Sequence, residues 1–62
     1  MREWIGTVPS SVDLRALLTA FERGLLERAM EQAEGVQAEA ARMLGLSRSD
    51  MGYKVAKYAI GQ

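Results

Sequence analysis

Histidine and cysteine are both absent from this chain of 62 residues, so the side chains that most often carry nucleophilic, redox or metal chemistry are missing. Carboxylates remain. Glu27 and Glu31 stand at i, i+4 and would share one helix face. That spacing is met far more often on a solvated surface than in an acid–base pair. No glycine-rich phosphate loop is present, and so short a chain leaves no room for a substrate-sized core cavity. The residues thus point away from an enzyme, a metal site or a bound cofactor. The chemistry left is recognition, by the guanidinium, ammonium, amide and hydroxyl groups gathered between Gln37 and Tyr58.

That stretch, QAEAARMLGLSRSDMGYKVAKY, reads as two helices joined by a tight turn at Gly45-Leu46-Ser47. Ala40, Ala41 and Leu44 fall at helical spacing, and the small alanines allow a second helix to approach closely. Gly45 sits where the first of the two must end with a positive backbone angle, which glycine adopts freely. Leu46 is the apolar plug of the corner. Ser47 is of the type that caps a following helix, and Asp50 in its first turn suits the helix dipole. Met51 and Val55 repeat at i, i+4 as an inward face, with Tyr58 and Ile60 behind them and Tyr53 turned away. An ordinary helical hairpin and a DNA-reading helix-turn-helix both fit this spacing.

Upstream, a long helix is expected to start at Ser10 or Ser11, with Ser10 and Asp13 resembling a capping box, and to run to Ala33 or Glu34 before stopping at Gly35. Its apolar positions form two sets. Leu26, Ala29, Met30 and Ala33 are expected to pack on the helix-turn-helix of the same chain, with Val36 inward beside Leu44. Leu14, Leu17, Leu18, Phe21 and Leu25 have no partner left within the sequence, and a second copy is the simplest cover for such a patch. Gly24, inside this helix, marks a close crossing or a kink. Met1 to Pro9 is read as a leader or linker remnant, since Gly6 and Pro9 argue against regular structure; Trp4 and Ile5 folding back over the patch is the alternative.

The length allows one domain, residues 10–62, and a chain this small buries only ~60% of its unfolded surface, so oligomerisation is a usual remedy. Disulfides are excluded, and no apolar run is long enough to cross a bilayer. Eight basic and eight acidic side chains cancel. They are segregated. From Asp13 to Glu34 the acids Asp13, Glu22, Glu27, Glu31 and Glu34 outnumber Arg15, Arg23 and Arg28. From Gln37 onward Arg42, Arg48, Lys54 and Lys57 outnumber Glu39 and Asp50. The excess is small, so phosphate binding by one copy should be weak and two copies would double the footprint.

Taken together, Leu25, Leu26, Ala29 and Met30, then Gly35, then Gln37, Ala40, Ala41, Leu44, Gly45, Leu46, Ser47 and Arg48, then Lys57, Tyr58 and Ile60 resemble the Fis-type helix-turn-helix. That domain closes NtrC-family bacterial enhancer-binding proteins and also occurs alone in the nucleoid protein Fis. The resemblance runs from Val12 to Ile60. It implies an all-α dimer in which paired long helices carry two DNA-reading units. It further implies sequence-specific binding of double-stranded DNA, with base and phosphate contacts from Ser47, Arg48, Asp50, Gly52, Tyr53 and Lys54. The resemblance also implies a phosphate contact at Gln37, and Lys57 completes the set. A guanidinium such as that of Arg48 can grip guanine bidentately.

Departures from the pattern stand at Asp50, where a neutral Thr or Ser is commoner, at Gly52 and Ala56, where longer or basic residues are, and at Ala59, where glycine is. By the same resemblance the chain is a cytoplasmic, nucleoid-associated module. It would locate an activator whose receiver and sigma-54-remodelling ATPase belong to a longer parent. A dimerisation module with weak or lost DNA binding is the rival reading.

Overall fold

In a computed structural model, residues 2–61 of the chain are described and are all-helical, with no strand among them. Four helices follow in order: α1 (Arg2–Ile5), α2 (Leu14–Gln32), α3 (Gln37–Leu44) and α4 (Arg48–Tyr58). The long helix begins at Asp13, later than Ser10 or Ser11. The Asp13 carboxylate accepts the amide of Ala16 at 3.0 Å, so the aspartate is itself the cap and no capping box with Ser10 forms. The leader holds one helical turn where irregular backbone was expected. Gly6 and Pro9 both lie beyond that turn, which the Gly6 amide closes on the Arg2 carbonyl at 3.0 Å.

All three longer helices stop in the same way. The amides of Gly35, Leu46 and Ile60 reach back to the carbonyls of Met30, Ala41 and Val55 at 2.9, 2.9 and 3.0 Å. Each leaves the preceding residue left-handed, at φ of 54° for Glu34, 69° for Gly45 and 54° for Ala59. This is the Schellman stop, in which the paired carbonyls would otherwise be orphaned. Only Gly45 supplies the expected glycine. Gly35 does have positive φ, but it comes one residue later than the first left-handed position.

The core is one cluster of Leu26, Ala29, Met30, Ala33, Ala40, Ala41, Met51, Val55, Tyr58 and Ile60, with Leu44 and Leu46 packed at its edge. Ala40 and Met51 are completely buried: the small methyl of Ala40 lets α3 lie close, and Met51 fills the space. No buried side-chain nitrogen or oxygen among the described residues lacks a partner. Val36 departs from expectation. As the extended residue before α3 it turns its side chain to solvent instead of toward Leu44.

Helix α3 packs against both α2 and α4. The first half of α2 projects from this three-helix unit. The radius of gyration is 13.4 Å and the extents are 37 × 21 × 18 Å, against roughly 10–11 Å expected for a compact chain of this length. Helix α2 passes through Gly24 unbroken, and a Cβ there would meet nothing within 4 Å, so no helix of this chain crosses it closely. No helix of the described residues is long and apolar enough to cross a membrane.

Candidate nucleic-acid interface

The corner between α3 and α4 is built from three local devices. Gly45 reverses the chain, Leu46 anchors it on the core, and the Ser47 hydroxyl accepts the amide of Asp50 at 3.0 Å. With Met51, Val55 and Tyr58 buried, the 3.6-residue period of α4 sets its opposite side outward. Ser49, Tyr53 and Ala56, at spacings of 4 and 3, run along the middle of that side. All three are exposed, Tyr53 at 68%. Ser49 and Ala56 were not among the residues anticipated for DNA contact. The signal was present, since both fall in line with Tyr53, the residue already read as outward.

The anticipated residues divide by position. Gln37 opens α3 and Arg48 opens α4. With Ala38 and Ser49 they line a polar recess of about 310 Å³. The Gln37 amide oxygen lies over Gly52, 3.7 Å from where a Cβ would stand, so Gly52 is half-buried beneath it and offers backbone only. Ser47 is exposed, with its oxygen engaged by the cap, and Asp50 is exposed in the same turn. Arg48 is exposed and makes no ion pair among the described residues. Lys57 is exposed, its ammonium 5.3 Å from the Tyr58 ring centroid. Gln37, Arg48 and Ser49 gather at one end of the exposed side, whereas Lys57 also borders a recess against α2 with Leu14, Leu18, Glu22 and Tyr58.

Lys54 is turned the other way. Its ammonium lies 3.0 Å from the Glu22 carboxylate of α2, and the Tyr58 hydroxyl donates to the same carboxylate at 2.5 Å. The Tyr58 bond, aided by Lys54, holds the Glu22 carboxyl below its ordinary range. The Glu22 bond in turn raises Lys54 and, together with burial, Tyr58. Arg42 is likewise spent. Its guanidinium grips Glu39 on the same helix with two hydrogen bonds, which lowers the Glu39 carboxyl and raises Arg42. Of the four cations after Gln37, two are thus paired within the chain, Lys54 half-buried and Arg42 at the open surface.

On α2, Leu14, Leu17, Leu18 and Phe21 are exposed, at 65%, 44%, 55% and 47%, a third of a turn or so from the face that meets the core. Leu25 is half-buried and lines a groove of about 420 Å³ with Leu18, Phe21, Leu44 and Leu46. The leader leans on part of this face. The Trp4 and Phe21 rings sit 5.6 Å apart and tilted, and Ile5 and Val8 line a cleft of about 600 Å³ with Leu17 and Leu18.

Compared with known proteins, residues 17–58, more than half of the chain, match the family model described as bacterial regulatory protein, Fis family. No curated protein and no solved structure matches the chain.

Proposed function

Because the chain belongs to the Fis family of bacterial regulatory proteins, which bind DNA through a helix-turn-helix, we propose that α4 enters the major groove of double-stranded DNA and reads sequence there as half of a homodimer. The observation that carries this reading is the outward side of α4. It is a surface of Arg48, Ser49, Asp50, Tyr53 and Lys57 that takes no part in the core, held by a capped corner beside the Gln37 recess. Arg48 is the guanine-reading group, Tyr53 offers ring and hydroxyl to base edges, and Gln37 and Lys57 take phosphates. Asp50 is repelled by phosphate and earns its place by accepting a cytosine amine.

The homodimer rests on the exposed Leu14, Leu17, Leu18 and Phe21 of α2, which lie outside the core of their own chain. Its two reading units would address half-sites about one helical turn apart. In a longer parent carrying a receiver and a sigma-54-remodelling ATPase, such a dimer would locate an activator at enhancer sites in the cytoplasm. That extension draws on the resemblance of residues 12–60 alone.

One observation favours a second reading, a dimerisation module with weak DNA binding: Arg42 and Lys54 are already paired and Asp50 is acidic. Fluorescence anisotropy with duplexes selected from random DNA, repeated across salt concentrations, separates the two. DNA reading requires preferred twofold-symmetric sites, and Asp50→Ala should lose discrimination at one base pair. Equal affinity for all duplexes at low salt would leave the dimerisation module, and uniformly tighter binding by Asp50→Ala would reduce Asp50 to repulsion.

A further inference from the structure

Helices α2 and α4 meet chiefly through side chains that reach across between them, and Glu22 is where they converge. One carboxylate oxygen takes the Lys54 ammonium at 3.0 Å and the other takes the Tyr58 hydroxyl at 2.5 Å. Arg23, next along α2, adds its guanidinium to the Tyr58 carbonyl at 3.4 Å and lies 5.4 Å from the Tyr58 ring centroid. Lys54 and Tyr58 are one turn apart on α4, so two fixed points on one carboxylate define the direction of that helix about α2, as a single contact cannot. Glu22 is also flanked by Leu18, Phe21 and Leu25 on the apolar side of α2, and all four share the groove that Lys54 closes.

We infer that Glu22 is a positioning residue for DNA reading: without touching DNA it sets the angle of α4 on α2 and withholds the Lys54 ammonium from phosphate. The inference rests on the sequence-specific binding proposed above. Its two parts move different quantities. Loss of the fixed angle lowers the ratio of specific to non-specific affinity. Release of Lys54 steepens the dependence on salt, because each additional phosphate contact adds about 0.9 to the slope of log K against log salt.

The experiment compares the whole chain with Glu22→Gln and Tyr58→Phe on a selected duplex and on a scrambled duplex of equal length, over a salt series at a temperature where all three are folded. Glu22→Gln should lower the specificity ratio by roughly two- to tenfold and steepen the slope by about one per chain. Non-specific affinity at low salt should rise at the same time. Tyr58→Phe keeps Lys54 paired, so it should lower the ratio with the slope unchanged. A Glu22→Gln protein whose ratio and slope both equal those of the parent overturns the inference, as does one in which both affinities fall together with stability. A ratio preserved while both affinities rise equally overturns the positioning role and leaves only charge. Parent protein that binds both duplexes alike overturns the underlying reading of specific binding instead, so the two failures are told apart.

Discussion

Ala59 sits at φ 54°, and so does Glu34, a conformation that costs an L-residue about 1–2 kcal/mol, whereas Gly45 takes the same role at 69° without that cost. The difference predicts opposite outcomes at equivalent places. Ala59→Gly should raise stability by about 1 kcal/mol and Gly45→Ala should lower it by a similar amount, read as shifts in the urea midpoint with unchanged slope. Equal destabilisation by both would mean that the two stops are not equivalent. Gly45, Ser47 and Asp50 were legible from sequence because turn chemistry is local. Asp13 and Glu34 were not. Two serines nearby were equally good caps, and the neighbouring Gly35 drew the expectation of left-handed backbone away from Glu34. Val36 misled for a related reason, since an apolar side chain at a helix start has no obligation to face inward.

Among the elements, α2 carries the heaviest duties, joining the core on one face and leaving another exposed beside the leader. Its interior Gly24 meets nothing within 4 Å, so Gly24→Ala should stabilise the single chain by about 0.5–1 kcal/mol, measured at a concentration where it is monomeric. Loss of stability there would show that this part of α2 needs the glycine. The tie between α2 and α4 has a pH signature. Glu22 is held below its ordinary range, so its contribution is present above about pH 4.3 and is lost as pH falls further. Lys54 and Tyr58 are raised, so theirs is present below about pH 10 and is lost as pH rises past it. Melting temperatures of Glu22→Gln should therefore decline less steeply than the parent's at both ends of the range; parallel curves would show the tie to be energetically silent. Periodicity found the buried faces of these helices, Met51, Val55 and Tyr58 included. It had no means of finding Glu22 opposite Lys54, because partners 32 residues apart leave no mark in a local pattern.

At the scale of the whole molecule, the chain is longer than its core. The leucines of α2 stay exposed although the leader leans on part of their face, and the homodimer proposed above would bury them. Leu18→Glu should then shift sedimentation from dimer to monomer while leaving the helical circular dichroism intact, because Leu18 is 55% exposed and lies outside the core. An unchanged oligomeric state would place the interface elsewhere. The exposed leucines of α2 and the α3–α4 corner followed from residue spacing, whereas the fold-back of Trp4 and Ile5 stood only as the alternative to a linker remnant. Two breakers near Pro9 concealed a helical turn and an aromatic contact that depend on residues further along the chain.

That aromatic contact has an optical consequence. Trp4 is the only tryptophan in the sequence, and its indole lies against Phe21, in the middle of the face assigned to a second copy. Intrinsic fluorescence is thus a built-in gauge of that surface: arrival of a neighbour must alter the emission or its quenching by iodide, and simple dilution of unlabelled protein is enough to follow it.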